Sequence, residues 1–450
     1  MKYRTHTAVF LLLAGLAWVT SSEMPAQSQQ EPVKLTLEDA IHRALEANLS
    51  VLEARAHTDE DRGAETRSKA ALLPRVNAQT YANYQNRNLR AFGISVPGLP
   101  LPNVVGPFSN YDFRIYAQQN LFDLGSLHSF RASQRALDAD RLSEQDARDL
   151  IVRMTASLYL NAQSAEARAE AAQSRVTDSS ALFKLAHDRH DAGTATGVDV
   201  LRAQVQLAND KQALLEADNQ YKQSLLGLAR NLGMSPGTPL ELAEPLRYQA
   251  LDQPAPDVLV NSALNSRADY EALASQRATI VEEQRASRAR FYPKVSINGN
   301  IGELGRSIGG VATTGLIQGQ VDLTIFDRDR EGEAQQLAAR LRRIDDQVAD
   351  LRRGVDEDIR SALLDLDSAT QQVQVAAEGQ DLAKRELQEA QDRFQAGTAN
   401  NVEVVTAQDE LARAQENYIL AVSRHVDAKY ALARALGDTE KNILKFEGSE

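Results

Sequence analysis

The residues able to do chemistry do not converge on one reaction. His187 and His190 stand three apart and could share a helical face with Asp188. A metal site needs further ligands, and the sequence places none, so a solvated helix face is the plainer reading. Seven histidines are scattered and cysteine is absent. That excludes zinc–thiolate, iron–sulfur and catalytic-thiol chemistry, disulfide frameworks and a lipid anchor on an N-terminal Cys. There is no phosphate loop and no dinucleotide glycine pattern. No nucleophile-plus-base arrangement can be identified. Neither an enzyme nor a cofactor is expected. Two carboxylates stand apart from the rest because they occupy matching places: Asp199 in AGTATGVDVLRAQ (192–204) and Glu403 in AGTANNVEVVTAQ (396–408). Each alone reads as a solvated helix charge.

The two matched segments need helices on both sides. From Leu124 to Asp191 there is no proline, and Gly125 is the one glycine. The stretch from Arg328 to Gln395 also lacks proline. A continuous helix of such length is a rod of roughly 100 Å, at about 1.5 Å per residue. Gly193 and Gly397 are natural helix C-caps. Thr194 or Thr196, and Thr398 or Asn400, could cap the helices that follow. Those helices carry a seven-residue seam: Val200, Leu207, Leu214, Tyr221 and Leu228, then Val404, Leu411, Tyr418, His425 and Leu432. Ala407, Ala414, Ala421, Ala428 and Ala435 repeat at the same spacing. Apolar and small residues at heptad spacing predict close-packed, coiled-coil-like helices.

The chain is written twice. LLPRV (72–76) aligns with FYPKV (291–295), Pro74 on Pro293, at an offset of 219. The two AGT segments align at 204, as do Phe122-Asp123 with Phe326-Asp327 and Leu232-Gly233 with Leu436-Gly437. Units of this length exceed solenoid periods and read as an internal pseudo-two-fold. Each opens on a helix; in LTLEDAIHRALEANL, Thr36 is a candidate N-cap with Glu38 and Asp39 in the first turn. After each aligned proline the period changes to two. Val76, Ala78, Thr80, Ala82 and Tyr84 alternate with polar residues, as do Tyr111, Phe113, Ile115 and Ala117; Val295, Ile297 and Ile301; and Ile317, Val321, Leu323 and Ile325. One apolar and one strongly polar face suits a membrane β-barrel strand. A soluble sheet with one solvated face has the same pattern.

Composition narrows the partners. Fifty basic against 62 acidic residues give a net charge of −12, which argues against nucleic acid. Lys2 and Arg4, the apolar run Ala8–Thr20 and the small residues after it have the order of a secretory signal. No later run is long enough for a spanning helix. Four candidate strands cannot close a barrel, and lipid offers nothing to an open sheet edge. Several chains must therefore share one barrel, and three copies would give twelve strands.

The sequence resembles the TolC-like outer membrane efflux protein family across nearly all of the mature chain. The resemblance is carried by LTLEDAIHRALEANL, Pro74 and Pro293 at the strand starts, NLFD (120–123) with TIFD (324–327), and the paired AGT segments. It implies an α+β membrane protein with internal duplication. Long helices would form a periplasmic α-barrel, and four strands per chain would join a trimeric, twelve-stranded outer-membrane β-barrel. It implies passive conduction in a tripartite efflux or type I secretion system, docked on a periplasmic adaptor and an inner-membrane pump. Gly193, Thr194, Gly397 and Thr398 would lie at the periplasmic tip where adaptors dock. Asp199 and Glu403 would face the pore constriction, where a three-fold acidic ring favours cations. Thr406 stands where some members have a second acid, and Ala399 where an Arg can brace the closed tip. The expected plan is a signal segment over 1–26, a first repeat over 33–232 and a linker or equatorial segment over 233–256. A second repeat over 257–437 and a tail over 438–450 follow. Strands are expected at about 75–88, 110–122, 294–302 and 316–326. The competing reading is a secreted or periplasmic coiled-coil scaffold or adaptor.

Overall fold

The computed structural model describes residues 32–89, 91, 93, 102–251 and 255–447. The expected signal segment and the last three residues of the tail lie outside them. In chain order the elements are β1 (Val33–Leu35), α1 (Leu37–Ala47), α2 (Leu49–Ala70), β2 (Arg75–Asn88), β3 (Val104–Phe122), α3 (Leu124–Asp191) and α4 (Gly197–Asn231). Then come β4 (Leu240–Leu242), α5 (Pro256–Ala263), α6 (Ala268–Ala289), β5 (Lys294–Gly305), β6 (Val311–Asp322), α7 (Asp329–Gln395), α8 (Asn401–Leu436) and α9 (Thr439–Phe446).

Two rods organise everything else. Without proline, α3 runs 68 residues and α7 runs 67, each roughly 100 Å. The strand-proximal half of α3 packs on α2 and α6, through His57–Asp140 at 2.8 Å and His128–Glu282 at 2.7 Å. Its far half packs on α4 and α8, through Tyr221 to Glu166 at 2.8 Å and Arg168–Glu416 at 2.9 Å. The α7 rod divides likewise between α6 and α8. The C-proximal heptad seam behaves as its spacing predicts: Val404, His425, Leu432 and the alanines at 407, 421, 428 and 435 are buried. In α4 only Leu228 of the matching seam is buried.

Short elements belt the rods at mid-height. Thr36 caps α1 through a capping box, with the Asp39 N–H donating to its hydroxyl at 3.1 Å. That turns Leu37, Ile41, Ala44 and Leu45 onto α3. The segment expected to be a linker contains β4, which pairs in parallel with β1. The Tyr159 hydroxyl donates to the Leu35 carbonyl at 3.0 Å, fixing that pair to α3. The C-terminal residues are also folded in. Asp149 of α3 accepts the Thr439 N–H at 3.2 Å at the start of α9. Lys429, wholly buried, pairs with Glu447 at 3.3 Å.

The limits of three strands differ from expectation. Two are longer because their ladders continue: β3 begins at Val104, pairing with Asn88, rather than near 110, and β5 runs to Gly305, pairing with Val311, rather than to 302. The last strand spans 311–322 instead of 316–326, because Asp322 faces Lys294, the first residue of β5. Leu323, Ile325 and Phe326 have no strand opposite them and remain irregular and exposed.

His425 is fully buried, its ring 4.7 Å edge-on from Tyr248. Burial, and then the Lys429 charge, push its pKa from 6.5 down to about 4. Because the folded value lies below the unfolded one, its stability contribution is complete above pH 6.5 and is lost as pH falls toward 4. The loss should be about 3 kcal/mol per chain. His425→Phe should flatten that acid-side fall in urea midpoints measured from pH 7 to 4; an unchanged fall would contradict the assignment.

Candidate functional site

Two regions could carry function: the four-stranded sheet at one end of the rods and the two helix turns at the other. The sheet is antiparallel in the order β2-β3-β5-β6. Its register stacks like on like. Ala78, Ile115, Ile301 and Gly315 form one cross-sheet row, and Val76, Ala117, Gly299 and Ile317 the next. Asn77, Tyr116, Asn300 and Leu316, then Arg75, Gln118, Asn298 and Gln318, form rows on the opposite face. Val76, Ile115, Ile301, Ile317 and Val321 are all more than half exposed, so the single chain presents an uncovered apolar face. Within the described residues, the outer edges of β2 and β6 are unpaired.

The polar face holds one locked charge pair. Arg114 grips Asp112 with two donors, one of them at 2.6 Å, and the Tyr81 hydroxyl donates to the same carboxylate at 2.8 Å. Asp112 is left 1 % exposed. Gly302 lies opposite Arg114 in the register, where an added Cβ would come within 1.9 Å of the Phe113 carbonyl. Only glycine lets β5 approach β3 this closely.

At the other end, each rod stops in a Schellman turn. Gly193 and Gly397 sit at φ +74° and +77°. Thr194 and Thr398 send their backbone N–H groups back to Arg189 and Arg393 carbonyls, at 2.9 and 3.0 Å. Their hydroxyls donate to the same carbonyls, each at 3.1 Å. Thr196 and Asn400, rather than Thr194 and Thr398, cap the next helices. Asp199 closes a capping box: its carboxylate accepts the Thr196 N–H at 3.0 Å and hydroxyl at 2.7 Å. Those hydrogen bonds from Thr196 hold its carboxyl below the usual range. Glu403 reaches Arg393 at 3.2 Å, with both side chains about half exposed. His187 and His190 flank Asp191 at 3.1 and 3.6 Å, not Asp188. Among the described residues no cluster of three or more His, Asp or Glu could hold a metal ion.

The residues that join the two turns are ones sequence reasoning misses. Arg189 of α3 donates to the Gln395 carbonyl at 2.6 Å, and its guanidinium lies 4.6 Å over the Phe394 ring. That carbonyl lies at the negative end of α7, where a cation is favoured. In return, Asn401 of α8, fully buried, donates to the Asp199 carbonyl at 2.9 Å. Arg189 and Arg393 hold matching places in the two copies but act differently. Arg393 stays within its own hairpin, whereas Arg189 crosses to the other. The signal was present as an Arg one turn before each AGT, but its direction depends on tertiary packing.

The sequence profile of the outer membrane efflux protein family matches residues 40–234 and 259–438. The chain belongs to that family. This efflux protein is 25 % identical over 387 residues to the pyoverdine export outer membrane protein OpmQ of Pseudomonas putida, covering 82 % of this chain and 78 % of that one. It is 23 % identical over 420 residues to the toluene efflux pump outer membrane protein TtgF of Pseudomonas putida, covering 90 % and 84 %. The crystal structure of the outer membrane protein VceC of Vibrio cholerae superposes at a TM-score of 0.74 with 20 % identity, covering 89 % of this chain and 96 % of that one. The fold is therefore the α+β channel-tunnel fold, and the outer membrane is where this efflux protein resides. Among its described residues no helix is long and apolar enough to cross a membrane.

Arg189 is the strongest single tie between the two hairpins. A charge-assisted hydrogen bond with ring stacking should contribute about 1–3 kcal/mol at this partly exposed site. Arg189→Ala should speed amide exchange at least several-fold over residues 189–199 and 393–403, while exchange in the belt around Tyr159 stays unchanged. Equal exchange in both proteins would remove Arg189 from this role.

Proposed function

We propose that three copies of the chain close one continuous duct that conducts substrate passively from a periplasmic adaptor and inner-membrane pump to the exterior. The observation that carries this reading is the pair of unpaired strand edges flanking a four-stranded, lipid-compatible sheet. An open edge in hydrocarbon leaves backbone groups unsatisfied, so β2 of one copy must pair with β6 of the next. The helical layer supports the same symmetry. Across its far half the order is α4, α3, α8, α7. The outermost helices carry exposed apolar stripes: Val198, Leu201, Val205, Leu215 and Leu226 on α4, and Leu364, Val375 and Leu382 on α7. Two different edges meeting head to tail form a heterologous contact that closes into a ring. The Gly193-Thr194 and Gly397-Thr398 turns, exposed at the end of the rods, are the adaptor-docking surface in this reading.

Of the two candidate constriction acids, Glu403 is the better placed. Asp199 spends its carboxylate on its own helix cap, whereas Glu403 is half exposed and tied to a single Arg393. Such a surface pair is weak and can yield to an incoming cation.

Two measurements test the reading. The protein should fractionate with outer membranes and migrate as a detergent-resistant trimer. Val375→Glu combined with Leu382→Glu, both exposed in the single chain, should leave a folded monomer; a persisting trimer would put the interface elsewhere. In planar bilayers, Glu403→Gln should lower cation preference and divalent-ion block, and unchanged reversal potentials would reject its pore role.

A further inference from the structure

Between the tip core and the belt core the helix packing is interrupted by a group of buried and half-buried polar side chains. The tip cluster is built on Leu182, Leu387, Phe394 and Val404. The belt cluster is built on Tyr159, Leu228, Val422 and Val426. Arg175 of α3, Asp210 of α4 and Gln408 of α8 line a partly open cavity of about 20 Å³ there, with Leu387 and Leu411 of the tip cluster along its margin. Asp210 lies 13 residues into α4, about 20 Å from the turn.

The polar atoms around this cavity are incompletely matched. Gln206 donates to Asp409 at 3.3 Å and to Asp210 at 3.4 Å, both long contacts. Gln408 is only 8 % exposed, yet neither its amide nitrogen nor its amide oxygen has a protein partner. The Arg175 Nε and the Gln415 side-chain oxygen are likewise buried without one. The unmatched set is therefore two donors and two acceptors. A water molecule offers two donors and two acceptors, and a cavity of this size holds about one. A cation would suit the two oxygens and the three aspartates that also line the cavity, Asp178, Asp210 and Asp409, but Arg175 and the Gln408 NH₂ line it too, and among the described residues no group of three or more His, Asp or Glu is placed to hold a metal ion.

We propose that this cavity binds one structural water and that the hydrated layer is the joint about which the tip half of the helical barrel opens. The second part rests on the duct reading. The physical reason lies in the cost of shear. Sliding an interdigitated apolar core exposes carbon surface and opens voids. Sliding a hydrated polar layer exchanges one hydrogen-bond partner for another. Burial also pushes the Asp210 carboxyl upward, and the cavity is lined by three aspartates against one arginine. Opening relieves that desolvation.

The test compares two substitutions in the full-length trimer. Gln408→Met keeps the length and removes both polar atoms; Gln408→Asn keeps the polarity and shortens the chain. A hydrated joint predicts that Met lowers the frequency of open events in bilayers by about tenfold, the equivalent of one lost hydrogen bond, while Asn stays within about two-fold of the parent. A packing role predicts the reverse order, with Asn the worse variant, and that result would overturn the proposal. In an experimental density map, one peak at hydrogen-bond distance from Gln408 and Gln415 is expected. A peak at about 2.4 Å from several oxygens would mark a cation instead and refute the water. If the parent protein itself forms no pore, the duct reading fails. If it conducts and Met gates as the parent does, only the joint fails.

Discussion

A backbone N–H or C=O that meets hydrocarbon without a partner costs several kcal/mol, and a strand edge presents a whole row of them. The sheet described above has two such edges and one apolar face. Among the described residues no strand pairs with either edge. That requirement propagates outward from the sheet. In the proposed ring it imposes neighbours on β2 and β6, and α7, which follows β6 in the chain, is carried to the same boundary. In that ring the exposed stripes on α4 and α7 are the two halves of a seam. The apolar core within one chain is accordingly thin and divided into separate clusters along the rods. In the proposed ring, much of the burial that would stabilise an ordinary domain comes from assembly.

The division of labour along the rods follows from local chemistry. Where the chain must turn, at 193 and 397, glycine takes the left-handed conformation and threonine returns its donors to the last helix carbonyls. Where it must stay straight, proline is absent. Where the short elements gather at mid-height, long-range polar contacts fix them: Tyr159 to Leu35, Asp149 to Thr439, and Arg267 to Asp358. A buried ion pair such as Lys429 with Glu447 adds little net stability, but breaking it leaves an uncompensated charge. That makes it a register device holding the chain's end in place.

How legible this was depends on the range of the interaction. The rods, their Schellman turns, the Thr36 cap and the alternating strands can all be read from the sequence, because each depends on residues within about one turn or one strand. The duplication is legible for the same reason, as local similarity at a constant offset. The three-residue strands β1 and β4 are not, being too short for any period and formed by partners some 200 residues apart in a proline-rich stretch. The end of β6 depends on where β5 begins, which no local pattern records. At the tip, Asp199 and Glu403 are recognisable as a matched pair. That one caps a helix while the other meets Arg393 follows from Thr196 against Asn400 and from packing. Arg189, Phe394 and Asn401 are invisible for the same cause, since their contacts cross between the two copies.

The near equality of the two rods, 68 and 67 residues, has a consequence for how such a protein can diverge. They serve as matched gauges of one span, fixed at the sheet and at the turns. A heptad lost from one gauge alone would tilt the rim, misalign both cores and strand the belt between mismatched levels. Changes of reach must therefore arrive in pairs, in both halves of the gene. Loops at either end, free of that coupling, can vary singly.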